Sequence, residues 1–187
     1  MYEQMIRDYA PGDEFEARDK ELMLAYFKEA SFDPTTREAA LAHLTSSGFI
    51  LNAAMDKVLM VHHNIYKTWA WTGGHADGEH DLLAVALKEA REETGVENIR
   101  PLTEEIMSLD ILPVWRHLKR GKPVSTHLHL NVSYILLADE SEPFKVKADE
   151  NSDVGWLPVD GLSLYCQEPH IVPIYEKLIK KAREFDR

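Results

Sequence analysis

The charged segment 13–30 carries apolar residues at a helical spacing. Leu22, Met23, Tyr26 and Phe27 lie one turn apart in two adjacent pairs, which places them on one side of an α-helix. The pattern therefore predicts a helix that packs this side against another part of the protein or against a second copy of the chain.

A second helix is expected from Thr35 or Thr36 to about His43. Asp33 and Pro34 interrupt the first helix, and a threonine is a suitable N-cap for the next one. Residues 1–44 are thus interpreted as a helical extension, with three roles left open: covering the core, gating the site, or forming a homodimer contact.

From Ser46 onward the pattern changes to short apolar runs that are typical of β-strands. The runs are 48–51, 58–61, 68–72, 105–116, 127–138 and 154–157. The first two are separated by a short polar connection, which predicts a hairpin. A basic turn at 119–123 follows the fourth run.

Two helices accompany these strands. The first is expected to begin after the N-cap Asp81 and to end at Gly95, because these residue types favour the two ends of a helix. The second covers about 170–184. Together the elements predict an α/β fold in a single domain, 45–187, with a mixed sheet and helices on both faces.

Composition narrows the classes of partner. The 187 residues include 32 acidic and 21 basic ones, a formal net charge of −11. This balance argues against a general nucleic-acid or anionic-membrane surface, which would need a basic patch. It leaves room for a small phosphorylated substrate, since a bound cation neutralises the local field.

Cysteine usage and the N-terminus indicate the compartment. Cys166 is the single cysteine, so an internal disulfide framework is ruled out and a reducing environment is favoured. The first residues contain no apolar signal-peptide core, and no apolar run approaches membrane-spanning length. We therefore expect a soluble cytoplasmic protein.

The helix from Asp81 to Gly95 carries the most informative chemistry. Glu89, Glu92 and Glu93 are spaced i, i+3 and i+4, which places three carboxylates on one helix face. Such a cluster is unfavourable unless a cation lies among the charges, and Mg²⁺ prefers oxygen ligands from carboxylates and phosphates. Taken alone, an acidic run is more often a solvated face. The glycines at fixed spacing on either side favour the metal interpretation.

These residues resemble the Nudix box, G-x5-E-x7-R-E-U-x-E-E-x-G-U, in which U is apolar. The matching positions are Gly74, Glu89, Ala90, Glu92, Glu93, Gly95 and Val96. Two positions depart from the pattern: His80 replaces the first glutamate and Lys88 replaces the arginine that orients the next glutamate. Lys88 retains the charge but lacks the planar bidentate fork of arginine.

The resemblance implies an α/β/α Nudix sandwich and a hydrolase that uses Mg²⁺ or Mn²⁺. The implied metal ligands are the carbonyl of Gly74 and the carboxylates of Glu89, Glu92 and Glu93. Glu92 and Glu93 are also expected to act in catalysis, and Glu150, in the acidic loop 149–153, is the candidate from a later loop. Either Glu93 or Glu150 is expected to accept the proton of the attacking water.

The implied substrate is a nucleoside diphosphate linked to another moiety, such as ADP-ribose, a dinucleotide or a sugar nucleotide. His75, His129 and Lys88 are candidate contacts for it. His127 and His129 share one face of a strand and would suit zinc, but a zinc site requires more ligands, so polar packing is the favoured interpretation.

Two tryptophans lie in the predicted strand that leads into the glycine-rich loop. Trp69 and Trp71 would suit base stacking, although buried packing is the commoner role of such residues.

The alternative function is a Nudix-fold protein that binds or senses a nucleotide without hydrolysing it, which the two departures from the box favour. An isomerase on the same scaffold is disfavoured because it would need a cysteine early in the domain.

Overall fold

A computed structural model describes residues 2–65, 67–119 and 121–185. The helices are α1 (Tyr2–Asp8), α2 (Glu14–Glu29), α3 (Leu82–Thr94) and α4 (Val172–Phe185), with a short 3₁₀ helix at Leu162–Leu164. The strands are β1 (Ala42–Leu51), β2 (Lys57–His63), β3 (Trp69–Ala70), β4 (Thr72–His75), β5 (Arg100–Pro101), β6 (Ser108–Val114), β7 (His117–Lys119), β8 (Lys122–Val124), β9 (His127–Leu137) and β10 (Asn151–Pro158).

Eight strands form one mixed sheet. Its main path runs β10-β2-β1-β9-β5, while β3, β4 and β6 pair with β2, β1 and β9 respectively. The pairing of β1 with β9 is parallel along the full length of β1. The predicted hairpin is confirmed by the pairs Ile50–Leu59 and Leu51–Val58. The basic turn lies between β7 and β8, and its Arg120 is outside the described residues.

Helices cover both faces of this sheet. On one face, α3 contributes Leu82, Ala86 and Ala90 to a buried core that also includes Leu44 and Leu59. On the other face, the side chains of α4 pack against the opposite sides of the same central strands. The expected α/β/α sandwich is therefore confirmed.

The N-terminal helices cover part of the first core. Ile6 of α1 and Met23 of α2 are fully buried in it. Glu16 of α2 is also buried and its carboxylate lies 2.8 Å from the ammonium nitrogen of Lys177 on α4. Of the three roles left open for these helices, the structure displays core coverage. Within the described ranges no helix has both the length and the apolar character needed to span a membrane.

The prediction of a second helix ending at His43 was wrong. Asp33 instead accepts hydrogen bonds from the backbone N–H and the hydroxyl of Thr35, which fixes a turn. The chain then enters β1 at Ala42, because residues from Ala42 onward pair with β9. The threonine that was interpreted as a helix cap is held by the aspartate two positions earlier, an alternative use of the same residue types.

Candidate active site

A cleft of about 740 Å³ opens at the edge where β1, β4 and β9 meet α3 and the loop before β10. Residues that line it include Gly74, Glu89, Glu92, Glu93 and Glu150. A smaller depression of about 470 Å³ lies against α4 near Asp160 and contains none of these. The carboxylates predicted to act together are therefore brought together in the larger cleft.

Helix α3 positions the carboxylates as its sequence indicated. Asp81 caps the helix by accepting a hydrogen bond from the backbone N–H of Ala84, and Gly95 ends it in the left-handed conformation with φ 71°. The apolar stripe of the helix is fixed in the core, so the neighbouring face is directed towards the cleft. Glu93 is 5% exposed.

Glu93 is held from two directions. One oxygen of its carboxylate accepts a hydrogen bond from the backbone N–H of Gly73 at 3.0 Å, and the other accepts one from the side-chain amide of Asn151 at 3.2 Å. Burial raises the pKa of Glu93 to about 7, even though these two hydrogen bonds act in the opposite direction. A buried carboxyl that titrates near neutrality is suited to hold either a proton or a cation.

Glu89 lies directly against the glycine that precedes α3 in the box. A Cβ atom built on Gly74 would lie 2.6 Å from Oε1 of Glu89, so a side chain at this position would displace that carboxylate. Burial also raises the pKa of Glu89. The glycine is thus required so that strand β4 and this carboxylate approach each other.

The rim of the cleft carries alternating charges. The ammonium nitrogen of Lys88 lies 3.8 Å from Glu89 and 3.7 Å from Glu92, so it contacts both loosely, and its side chain is 65% exposed. Lys147 lies 2.9 Å from Glu150 and 3.8 Å from Glu92. Lys88 and Lys147 therefore offset part of the negative charge of the acidic cluster.

His80 does not lie beside Glu89. Its Nε2 is 3.2 Å from the carboxylate of Asp33, and its ring packs edge-on against Tyr2. The neighbouring Glu79 accepts hydrogen bonds from the backbone N–H groups of His80 and Asp81 at the start of α3. This departure from the box thus contacts the N-terminal extension.

His75 and His129 do reach the cleft, where His43 and His127 are among the other histidines that line it. Burial is the main reason that the pKa falls to about 3 for His75 and to about 2 for His129. Both rings are therefore uncharged at neutral pH. Any contact with a phosphate would rest on a neutral N–H donor or on a metal, not on a positive charge.

Several polar residues of the cleft had no signal in the sequence. Asn131 of β9 accepts hydrogen bonds from the hydroxyls of Thr45 and Ser47 on β1, at 2.9 Å each. Arg37, in the turn before β1, forms a bidentate ion pair with Asp77, with both N–O distances 2.6 Å. These pairs join segments that are distant in sequence, so only the tertiary structure reveals them.

The two tryptophans differ in position. Trp71 lines the cleft, where its ring meets Tyr175 edge-on at 5.2 Å between centroids. Trp69 contacts His62 and packs, partly buried, against the α4 side of the core. Neither tryptophan is fully buried, and Trp71 is the one that a substrate in the cleft would meet.

Comparison with known proteins agrees with this arrangement. The family model of the NUDIX domain matches residues 42–181. Among solved structures, an Ap4A hydrolase from C. elegans superposes with a TM-score of 0.56 at 14% identity, covering 75% of this chain and 98% of that one. The E. coli dihydroneopterin triphosphate pyrophosphohydrolase gives 0.56 at 12%, covering 74% and 95%.

A third solved structure, a NUDIX-family hydrolase from Clostridium perfringens, has a TM-score of 0.50 at 21% identity and covers 74% of this chain and 96% of its own. No curated protein matches the sequence. The structural likenesses establish the fold, and the family match extends over the sheet, α3 and most of α4. The chain therefore belongs to the NUDIX domain family and is an enzyme of the Nudix hydrolase type.

Proposed function

We propose that the chain is a metal-dependent pyrophosphohydrolase that cleaves the diphosphate of a nucleoside diphosphate linked to a second moiety. The observation that carries the proposal is the pair of carboxylates one helical turn apart in the cleft, of which Glu93 is buried and Glu89 is partly buried. The pKa values of both carboxyl groups are raised, and the absence of a side chain at Gly74 lets strand β4 lie close to Glu89. Buried carboxyls of this kind are typical of functional sites.

The donor set suits a hard divalent cation. Glu89, Glu92 and Glu93 offer carboxylate oxygens within one cleft, and the carbonyl of Gly74 is the fourth ligand that the family pattern implies. Mg²⁺ and Mn²⁺ prefer such oxygen ligands. A bound cation would neutralise phosphate charge and lower the pKa of a coordinated water.

The protein's own residues then divide the remaining work. Glu93 is fixed by Gly73 and Asn151, so its position is set before any ligand arrives. Glu150 is one-third exposed at the rim and paired with Lys147, and it remains the second candidate for accepting a proton from water. The pH–rate profile of Glu150→Gln, compared with that of Glu93→Gln, would separate the two assignments.

Four substrate contacts are proposed on the same grounds. Lys88 lies at the rim beside Glu92, where an ammonium group would meet a phosphate. His75 and His129 line the cleft as neutral donors, and Trp71 offers a ring face or edge to a base. ADP-ribose, a dinucleotide and a sugar nucleotide all combine a diphosphate with groups that such a cleft contacts. The cleft volume falls within the range of small-molecule sites, about 300–1,000 Å³.

A phosphate-release screen tests the proposal. ADP-ribose, NADH, dinucleoside polyphosphates, sugar nucleotides and nucleoside triphosphates are each incubated with Mg²⁺ or Mn²⁺, and a phosphatase converts monophosphate products to free phosphate. Glu93→Gln serves as the control for contaminating activity. Release from ADP-ribose, a dinucleotide or a sugar nucleotide that Glu93→Gln does not show supports the proposal. Triphosphates are followed by pyrophosphate release without the phosphatase, because the phosphatase attacks them directly. Saturable nucleotide binding without release by the intact protein would instead support the non-hydrolytic alternative.

We also expect the enzyme to act on small molecules in the cytoplasm and not on nucleic acid or membranes. The net charge of −11 leaves the surface as a whole repulsive to polyanions. Whether the chain works as a monomer or a homodimer is open to measurement by light scattering.

A further inference from the structure

Four histidines converge on one face of the sheet, next to the carboxylates. His43 of β1 and His129 of β9 are direct register partners, and His127 precedes His129 by two residues. His75, at the end of β4, pairs with Thr45, two residues after His43. Because side chains alternate between the faces of a strand, the register alone places all four imidazoles on the same face.

The side chains complete this convergence. One ring nitrogen from each histidine lies within 4.8 Å of those of the other three. The Nε2 atoms of His127 and His129 are 3.2 Å apart. Two nitrogens bound to one tetrahedral zinc at about 2.0–2.1 Å would be roughly 3.3 Å apart. This pair therefore already has the separation of two ligands, and a separation at the 4.8 Å limit would have to shorten by about 1.5 Å on metal binding.

In two of the four rings, the nitrogen that faces away from the cluster is hydrogen-bonded to a backbone carbonyl, as is common for histidines that bind a metal. Nδ1 of His43 is 3.1 Å from the carbonyl oxygen of Ala39, and Nδ1 of His127 is 2.9 Å from that of Ser125. A carbonyl accepts only from an N–H, so each Nδ1 carries the hydrogen and each Nε2 of the neutral ring is left with a lone pair. Backbone carbonyls fix the tautomer of metal-ligating histidines in this way.

Polar packing accounts for His127 and His129, whose Nε2 atoms share a hydrogen bond, but it does not account for His43. His43 is 5% exposed, and its Nε2 is buried without a hydrogen-bond partner in the part of the chain that the structure describes. An unpaired buried nitrogen is costly, and a cation would satisfy it. The nearby guanidinium of Arg37 does not oppose a cation strongly, because Asp77 pairs with it in bidentate fashion.

We propose that His43, His75, His127 and His129 bind one divalent transition-metal ion, of which Zn²⁺ is the best fit. Imidazole nitrogens suit zinc and similar metals, whereas Mg²⁺ prefers oxygen. The ion is thus separate from the one that the carboxylates of α3 are proposed to hold, although both lie in the same cleft. With the ion bound, the contact that His75 and His129 are proposed to make with a phosphate is made through the ion and not as hydrogen-bond donors. The proposal does not depend on which diphosphate is cleaved or on hydrolysis itself.

Metal binding by the full-length chain, without a polyhistidine tag, tests the site directly. The protein is treated with a chelator, exchanged into buffer with millimolar Mg²⁺, and titrated with Zn²⁺ or with Co²⁺ as a spectroscopic probe. His129→Asn and His127→Asn each remove one ligand, and the second, at the first residue of β9, is the alternative in case the first fails to fold. His62→Asn is the matched control, because its ring contacts Ser152 and Trp69 outside the cluster.

The expected result is one Zn²⁺ per chain that excess Mg²⁺ does not displace, and a tetrahedral visible spectrum with Co²⁺. Folded His129→Asn or His127→Asn should bind at least about 10–100-fold more weakly. His62→Asn should bind as the parent does. Glu89→Gln should keep Zn²⁺ binding even where it loses hydrolysis, which separates this site from the proposed catalytic one.

Three outcomes would overturn the inference. The first is a parent protein that fails to retain Zn²⁺ at micromolar concentration. The second is a pair of folded cluster variants with the parent's affinity. The third is an octahedral Co²⁺ spectrum that disappears in Glu89→Gln but not in His129→Asn, because the metal would then lie on the carboxylates.

Discussion

Replacing Glu93 with glutamine gives the sharpest test of the carboxylate site, because it separates the effect of charge from that of shape. The glutamine carbonyl can accept the hydrogen bond that Gly73 now donates to Glu93. Its amide N–H group would face Asn151, whose Oδ1 is buried and has no partner among the described residues. A rotation of the Asn151 amide would therefore supply an acceptor, and we expect the variant to fold.

The expected stability change follows from the pKa. Burial raises the pKa of Glu93 from 4.5 to about 7 in the folded protein. A difference of 2.5 units corresponds to about 3 kcal/mol, at 1.36 kcal/mol per unit. Because the folded-state pKa is the higher one, the penalty is absent below pH 4.5, grows between 4.5 and 7, and is complete above 7.

The metal-free variant should therefore be more stable than the parent at pH 8, by up to about 3 kcal/mol. At about 2–4 °C per kcal/mol for a domain of this size, that is a rise of up to roughly 6–12 °C in Tm. Near pH 4.5 the two proteins should melt at similar temperatures. Thermal melts in the presence of a chelator at both pH values measure this difference.

The hydrolytic activity of Glu93→Gln should fall although its stability rises. Loss of the charge weakens cation binding, so turnover with saturating Mg²⁺ or Mn²⁺ should fall by about 100-fold or more. Glu97→Gln, an exposed change just beyond α3, is the matched control and should alter neither quantity. Near-parental turnover in Glu93→Gln, or a stability difference that is the same at both pH values, would refute the reasoning.

Three further changes test the surrounding structure. Gly74→Ala should lower kcat at least about tenfold with little change in the far-UV circular dichroism spectrum, because the new methyl group would lie 2.6 Å from Oε1 of Glu89 and displace that carboxylate. Lys88→Arg should maintain or raise kcat at saturating metal, since a planar guanidinium replaces a loose contact with a bidentate one. Glu16→Ala should cost about 3–5 kcal/mol in a denaturant titration, because it leaves the ammonium group of Lys177 with one partner fewer in a buried network.

A second glycine provides the control for Gly74→Ala, and the pH dependence of stability provides a further test of Glu16. Gly155→Ala adds the same methyl group where its nearest contact would be 3.5 Å, so it should be tolerated, unlike Gly74→Ala. Burial acts to raise the pKa of Glu16, but hydrogen bonds from Lys177, Gly12 and Tyr9 outweigh it and lower the pKa to about 2. The stability that Glu16 provides should therefore be complete above about pH 4.5 and be lost as the pH falls towards 2. A Glu16→Ala variant that showed the same acid sensitivity as the parent would contradict that assignment.

Local signals predicted the elements that carry the chemistry. Helix α3 begins after Asp81 and ends at Gly95 because cap residues act on the backbone beside them, so the sequence contains the full cause. The apolar runs likewise predicted β9 and the hairpin of β1 with β2. The spacing of Glu89 and Glu93 needed only the helical repeat.

Non-local pairing explains what the sequence concealed. His43 and His129 are adjacent because β1 and β9 pair in parallel, and no short-range pattern specifies which distant strands will meet or in what register. The sequence showed that His127 and His129 share one face of a strand. It did not show that His43 and His75 join them in one cluster. The same holds for Asn151, which reaches Glu93 from the start of β10, 58 positions away.

The segment between α2 and β1 shows why the N-terminal extension bears on the cleft. The boundary at 44/45 remains a prediction, yet strand β1 begins at Ala42, and the turn that replaces the expected helix contributes to the cleft. Arg37 lines it, and the carbonyl of Ala39 fixes the ring of His43. Helix α2 in turn is anchored to α4 through buried Glu16. A change that loosens α2 should therefore disturb the histidine cluster before it disturbs Glu93, whose two hydrogen-bond donors come from β4 and β10.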